Sequence, residues 1–211
     1  MRALLVSVVL AASGCGKSAP RELDHNLVRV TADARLRTDT INDGKWAEQA
    51  TFVLVEAENT AKQGAYVTLA GDLVDRDGAR VGTLRPQSLW VPAGELRTFA
   101  LVDFERKPRP TAKGARLFVR GAKLGVAPPA RVDGVKSIPD GDKIVMQGVL
   151  KNEAQRGGEL LVIATFYASD GRPMTRPFSV LWVAPNGELP VQFVGPPGST
   201  RGTLFIGDAV Y

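Results

Sequence analysis

The side chains of this chain that could do chemistry are few and scattered. There is one cysteine, Cys15, and one histidine, His25. A Ser-His-Asp site would need His25, ahead of the first strand-like segment, to meet a distant serine such as Ser88. No pair of cysteines or histidines can form at a metal-ligand spacing, so no metal is expected. Asp75-Arg76-Asp77-Gly78 has the form of the middle of a calcium loop, but that loop needs an acid at 73 and a glutamate at 84, where the chain has Leu73 and Leu84. Glu95 and Glu188 each follow a turn glycine, one in each half. Paired carboxylates hydrolyse bonds only when they face each other, and two turn-exit residues without chemistry are the simpler reading. The expectation is therefore a protein that is not an enzyme and carries no cofactor.

The cysteine has a different use. Met1-Arg2-Ala3-Leu4-Leu5-Val6-Ser7-Val8-Val9-Leu10-Ala11-Ala12-Ser13-Gly14-Cys15 has a positive start, an apolar run and small residues just before the thiol. It resembles a bacterial lipoprotein signal peptide. The resemblance implies removal of 1–14 and a diacylglycerol thioether on Cys15 with an acyl chain on its new amino group. Each buried methylene contributes roughly 0.8 kcal/mol, so two or three chains hold a protein at a membrane almost permanently. Gly16, rather than an aspartate, follows the cysteine; under enterobacterial sorting rules this implies the outer membrane, facing the periplasm, with the cell surface as the other possibility. Losing Arg2 takes the formal charge from +5 to +4. With a single cysteine no internal disulfide can form, so the fold must rest on its apolar cores. Residues 15–25 are expected to be a lipidated tether.

The elements beyond it repeat. Shifting the chain by about 93 residues superposes Asn59 on Asn152, Leu69 on Val162, and Asp77-Gly78 on Asp170-Gly171. Ser88-Leu89-Trp90-Val91-Pro92 matches Ser179-Val180-Leu181-Trp182-Val183 with one residue of slip, and Leu117-Phe118-Val119 matches Leu204-Phe205-Ile206. Two tandem domains are expected, 26–127 and 128–211, each of normal size for an independent unit. From Leu27 to Arg37 apolar and polar residues alternate, as in a half-buried strand. Similar runs at 51–58, 66–74, 88–91, 96–102 and 116–119 are separated by Asp-Gly and Pro-x-Gly turn signals. The second domain's opening strand is expected near 132–136, and Pro128-Pro129 with Arg131–Gly134 as a stiff link. The fold class is all-β: two tandem Ig-like antiparallel β-sandwiches after a signal peptide.

Each copy is similar to the FxLYD family of small Ig-like domains. The first copy carries Val55-Glu56-Ala57-Glu58-Asn59, Leu69-Ala70-Gly71-Asp72-Leu73-Val74-Asp75, Gly94-Glu95 and Phe99. The second carries Gly148-Val149-Leu150-Lys151-Asn152, Ile163-Ala164-Thr165-Phe166-Tyr167, Gly187-Glu188 and Phe193. The resemblance spans roughly 50–125 and 143–211 and implies a binding or spacing role in the cell envelope, with no catalytic residues.

Two sets of residues could carry such binding. Trp90 and Trp182 take equivalent places between apolar neighbours. Alternation puts each on the face opposite those neighbours, so it either fills a core or points outward to stack on a sugar or partner. Between 106 and 131 stand eight cations and no acid: Arg106, Lys107, Arg109, Lys113, Arg116, Arg120, Lys123 and Arg131. They form either a solvated basic face or a patch for anionic lipid or lipopolysaccharide. The expected role is that of a lipid-anchored envelope adaptor, an accessory subunit bound to an envelope protein. The alternative is a lipoprotein that binds glycan or lipopolysaccharide directly. Nucleic acid is not an expected partner.

Overall fold

A computed structural model describes residues 21–41 and 47–211. Cys15 and the signal stretch lie outside the described residues. Apart from one short 3-10 turn, His25–Leu27, the regular elements are strands. The first seven are β1 (Val28–Val30), β2 (Arg35–Ile41), β3 (Glu48–Asn59), β4 (Ala65–Val74), β5 (Arg80–Val91), β6 (Leu96–Val102) and β7 (Gly114–Leu124). The next seven are β8 (Ala130–Asp140), β9 (Lys143–Asn152), β10 (Gly158–Tyr167), β11 (Pro173–Thr175), β12 (Phe178–Val183), β13 (Glu188–Val194) and β14 (Arg201–Val210). Strand β3 has β1 and β2 end to end along one side and β6 on the other, facing a sheet of order β5-β4-β7. The same plan recurs as β8-β9-β13 facing β10, which is flanked by β11 and β12 on one side and β14 on the other. Every pairing is antiparallel. The chain thus forms the all-β sandwich architecture that its alternation and turns predict.

The cores follow the period-2 pattern. Val53, Val55, Phe99 and Leu101 from one sheet meet Val67, Leu69, Leu73, Leu89 and Val91 from the other. In the second half Met146, Leu150 and Val191 meet Leu160, Val162, Ala164, Phe166 and Leu204. Each large side chain buried this way contributes roughly 1.5–3 kcal/mol.

The predicted strand 27–37 is broken at 31–34. Val30 pairs with Ala57 and Arg35 with Leu54, so two extra residues are looped out. An even slip preserves which face each residue takes, which is why the alternation reads straight through the break. Strand β8 differs: it runs the full 130–140, and its register slips by a single residue between Asp133 and Lys136. An odd slip exchanges the faces, and most of this edge strand is exposed, so alternation signals only a fragment of it. Arg131–Gly134 therefore belong to a strand, leaving a shorter link at 125–129. The expected tether also shrinks. Leu23 is buried, its N–H donates to Ala122 O at 2.7 Å, and Leu124 N–H donates to Arg21 O at 2.9 Å, so residues 21–23 extend the edge of β7.

Asn59 and Asn152 explain one strong match of the repeat. Asn59 Nδ2 donates to Gln63 O and Val91 O at 2.8 and 3.0 Å, and its Oδ1 accepts from Ala61 N at 3.1 Å. Asn152 makes the same set with Arg156 O, Val183 O and Ala154 N. Each clamps a strand end to the following turn and to the end of the edge strand across from it. The Asp-Gly tips also form as expected: Gly78 and Gly171 take φ of 79° and 81°, where glycine has no side chain to strain. Asp75 Oδ1 accepts from the N–H groups of Asp77 and Ala79 at 3.0 and 2.8 Å. Its carboxylate closes the turn.

The two sandwiches share a dry seam. Ile163 and Phe205, on the outer face of the second sandwich, belong to the buried cluster of the first, with Leu161 packed beside them. A Cβ on Gly207 would stand 2.4 Å from Ile163 Cδ1 on the neighbouring strand and 3.2 Å from Leu89 Cδ2 across the seam, so any side chain there would displace both. Tyr167 Oη donates to Glu56 Oε1 at 2.8 Å and lies 3.1 Å from Thr98 Oγ1. Arg176 Nε donates to Thr98 O at 2.6 Å. These contacts fix the angle between the sandwiches more firmly than two linker prolines could.

Candidate functional site

The eight cations do not form one patch. Arg109 clasps the buried Asp103 through Nε at 2.9 Å and Nη2 at 3.3 Å, and bonds Glu105 at 3.0 Å. Lys107 lies 3.3 Å from Glu105, and Arg106 lies 3.8 Å from Glu48. Lys107 and Arg109 hold the Glu105 carboxyl below its ordinary range. Arg131 bonds Asp133 at 2.7 Å, which lowers the Asp133 carboxyl, and also pairs with Glu153. The run from 106 to 131 contains no acid, but neighbouring strands and loops bring in Asp103, Glu105, Glu48, Asp133 and Glu153. Half of the cations are neutralised in this way.

The other half stand free. Lys113, Arg116, Arg120 and Lys123 are exposed and make no ion pair among the described residues. The last three lie on β7 with Phe118 between Arg116 and Arg120. Inward Ala115, Leu117, Val119 and Ala122 hold the strand on its core, which turns Arg116 and Phe118 outward. Arg120 is the extra residue of a bulge, since β4 pairs Thr68 with Gly121 and Leu69 with Val119. Asp72, opposite Arg116, lies 3.5 Å from Arg80.

Both tryptophans point outward. Leu89, Val91 and Val183 are buried, which places the indoles on the opposite faces. The two then differ. Trp90 lies edge-on to Tyr66, ring centroids 5.2 Å apart, over Gly64. Burial, and after it the charge of Asp208 from the second sandwich, raises the Tyr66 phenol, so this pair sits beside the seam. Trp182 rests on Gly157 and is 65 % exposed. It ends a row that sequence reading missed: Phe178 is 60 % and Val180 54 % exposed, and Val210 is exposed nearby. Phe178, Val180 and Trp182 pair with Ile163, Leu161 and Glu159, all on the face that meets the first sandwich. Their i, i+2, i+4 spacing was the available signal. The first sandwich has Pro86 and Ser88 at the places of Phe178 and Val180.

The remaining candidates do not assemble. His25 is exposed beside β7 and distant in the chain from Ser88, which lies on the outer face of β5. Glu95 and Glu188 are not structural equivalents: Glu58 pairs with Leu96, and its counterpart Lys151 pairs with Glu188. Both turns hold four residues, 92–95 and 184–187, and the Pro-x-Gly-Glu motif simply sits one residue later in the second. Glu188 forms an ion pair with Lys151 at 2.6 Å. Among the described residues no group of three or more His, Cys, Asp or Glu could hold a metal.

No family model and no curated protein matches this chain. Among solved structures it is similar to red sea bream transglutaminase, at 16% identity and TM-score 0.27, over 82% of this chain and 29% of that one. The chain thus spans less than a third of that enzyme's length, and the likeness carries nothing about activity.

Proposed function

We propose that this chain is a lipid-anchored, non-catalytic adaptor of the bacterial cell envelope, built from two FxLYD-like sandwiches, which holds an envelope protein through the outer face of its second sandwich. The supporting observation is the exposed row Phe178, Val180 and Trp182 on β12. Contiguous exposed apolar side chains mark interaction surfaces, and aromatic anchors dominate protein contacts. The fold does not require Phe178 and Val180, since the first sandwich is built with Pro86 and Ser88 in their place and keeps only the tryptophan, Trp90. Strand β12 pairs only with β10 among the described residues, and its other edge can accept an extended partner segment by strand addition.

Crosslinking of the tagged protein in its native membrane, read by mass spectrometry, tests this against Val180→Arg and Cys15→Ser controls. The reading expects one or two envelope proteins, lost in both controls. Unchanged capture in Val180→Arg would remove β12 as the site. The second reading, binding of glycan or lipopolysaccharide, draws on Trp182, whose indole has one face on Gly157 and is otherwise open to a sugar ring. Co-purifying lipopolysaccharide without a protein partner would favour it.

A further inference from the structure

We propose that the outer face of β7, formed by Arg116, Phe118, Arg120 and Lys123, lies flat against the anionic phospholipid headgroups of the membrane that holds the chain. The proposal rests on the lipid-anchor reading of Cys15. Its first support is where the chain leaves the fold. Residues 21–23 run along β7, with Glu22 bridging to Lys123. Cys15 lies six residues before Arg21, so at no more than about 3.5 Å per residue an acyl anchor stays within about 21 Å of that edge. The second sandwich contacts β5 and reaches Tyr66 on β4 through Asp208, beside Lys123, while Arg116, Phe118 and Arg120 lie farther along β7.

The second support is the chemistry of the face. Arg116, Arg120 and Lys123 are exposed without ion-pair partners among the described residues, and Phe118, between them, is 50 % exposed. Asp72, on the neighbouring strand, pairs with Arg80, and Glu22 stands beside Lys123 at the end of the row where the chain leaves, so the unopposed charge centres on Arg116 and Arg120. Cations at headgroup level with an aromatic reaching toward the acyl boundary are how a surface-lying element binds an anionic bilayer.

The third support separates this face from the seam. Register places Phe118 at the position of Phe205 and Arg120 at that of Gly207. In the second sandwich this face is closed by another sandwich, which needs the bare backbone of Gly207. An arginine at the matching place does not fit that seam geometry and can reach phosphates instead.

The test uses the acylated chain in vesicles. Its one native thiol is blocked by lipid, so Phe118→Cys carries the only free thiol and takes an environment-sensitive dye. With phosphatidylglycerol in phosphatidylcholine vesicles the dye should shift blue and resist an aqueous quencher. High salt should reverse this, and Arg116→Gln, Arg120→Gln and Lys123→Gln should each lower the shielded fraction about fivefold at low salt. A dye at Val180→Cys should stay water-like. Water-like emission from position 118 in every vesicle, or a shift indifferent to salt and charge, would overturn the proposal, as would a response to lipopolysaccharide alone. The anchor reading is scored separately, by intact mass: an unacylated chain would remove it. The face is then read on Cys15→Ser with millimolar anionic lipid, where the same salt-reversible shift is expected and its absence rejects the face.

Discussion

Phe118 and Phe205 occupy the same place in two copies of one strand, yet Phe118 is 50 % exposed and Phe205 8 %. The neighbours explain the difference. Arg97 stacks 4.6 Å above the Phe205 ring, and Gly207 lets the first sandwich settle on the sheet. Around Phe118 stand Arg116 and Arg120 instead. One topology therefore presents the same face as a dry seam in one copy and as a charged surface in the other. The strand hydrogen bonds build both sandwiches; the outward side chains decide what each face meets.

Breaking the seam should have the largest effect. Gly207→Arg, which gives the second sandwich the residue of the first, forces a charge and its bulk between Ile163 and Leu89 and should cost about 3 kcal/mol or more in denaturant unfolding. The reciprocal Arg120→Gly should cost under about 1 kcal/mol. Equal effects would mean that the two faces are not used differently.

The Asn clamps sharpen the comparison from the other side, since they should not distinguish the copies. Asn59→Ala and Asn152→Ala each leave buried carbonyls and an N–H unpaired, and each should lose roughly 2–3 kcal/mol. A large loss in only one would show that its match in the repeat is not structural.

Smaller effects come from the polar part of the seam. Tyr167→Phe removes the link to Glu56 and Thr98 and should cost about 1 kcal/mol. Burial raises the Tyr167 phenol above its ordinary 10. A phenol raised in the folded state contributes stability that is complete below about pH 10 and lost as pH rises through the folded value. Wild type should therefore weaken above pH 10 more steeply than Tyr167→Phe, a difference that cancels the opposite contribution of Arg176. That guanidinium is buried with Nη2 unpaired, and desolvation pushes it down to about 10. Arg176→Met relieves that desolvated charge but loses the bond from Nε to Thr98 O, so it should change denaturant unfolding by under about 1 kcal/mol.

Strands, hairpin tips and the repeat are legible in the sequence because each rests on local rules: alternation, Asp-Gly turns and a buried Asn. What the sequence does not show is which face a neighbour covers. Leu161, Ile163 and Phe205 look like any outward apolar residues until the first sandwich is laid on them. The cations of 106–131 look unopposed until Asp103 and Glu105 arrive from the preceding strand end and loop, and Asp133 and Glu153 from the second sandwich. Large aromatics read first as core, and only the burial of Leu89, Val91 and Val183 turns Trp90 and Trp182 outward against that expectation.

On the proposed adaptor reading, equivalent strand positions in the two sandwiches have diverged into a partner surface and a solvent surface. Ser88 and Val180 take the same place on β5 and β12, paired with the matching residues Thr68 and Leu161. A photo-crosslinking residue placed at one or the other in living cells compares them directly. Position 180 should capture a defined envelope protein and position 88 none. Capture of the same protein at both, or of protein at 88 alone, would contradict that reading.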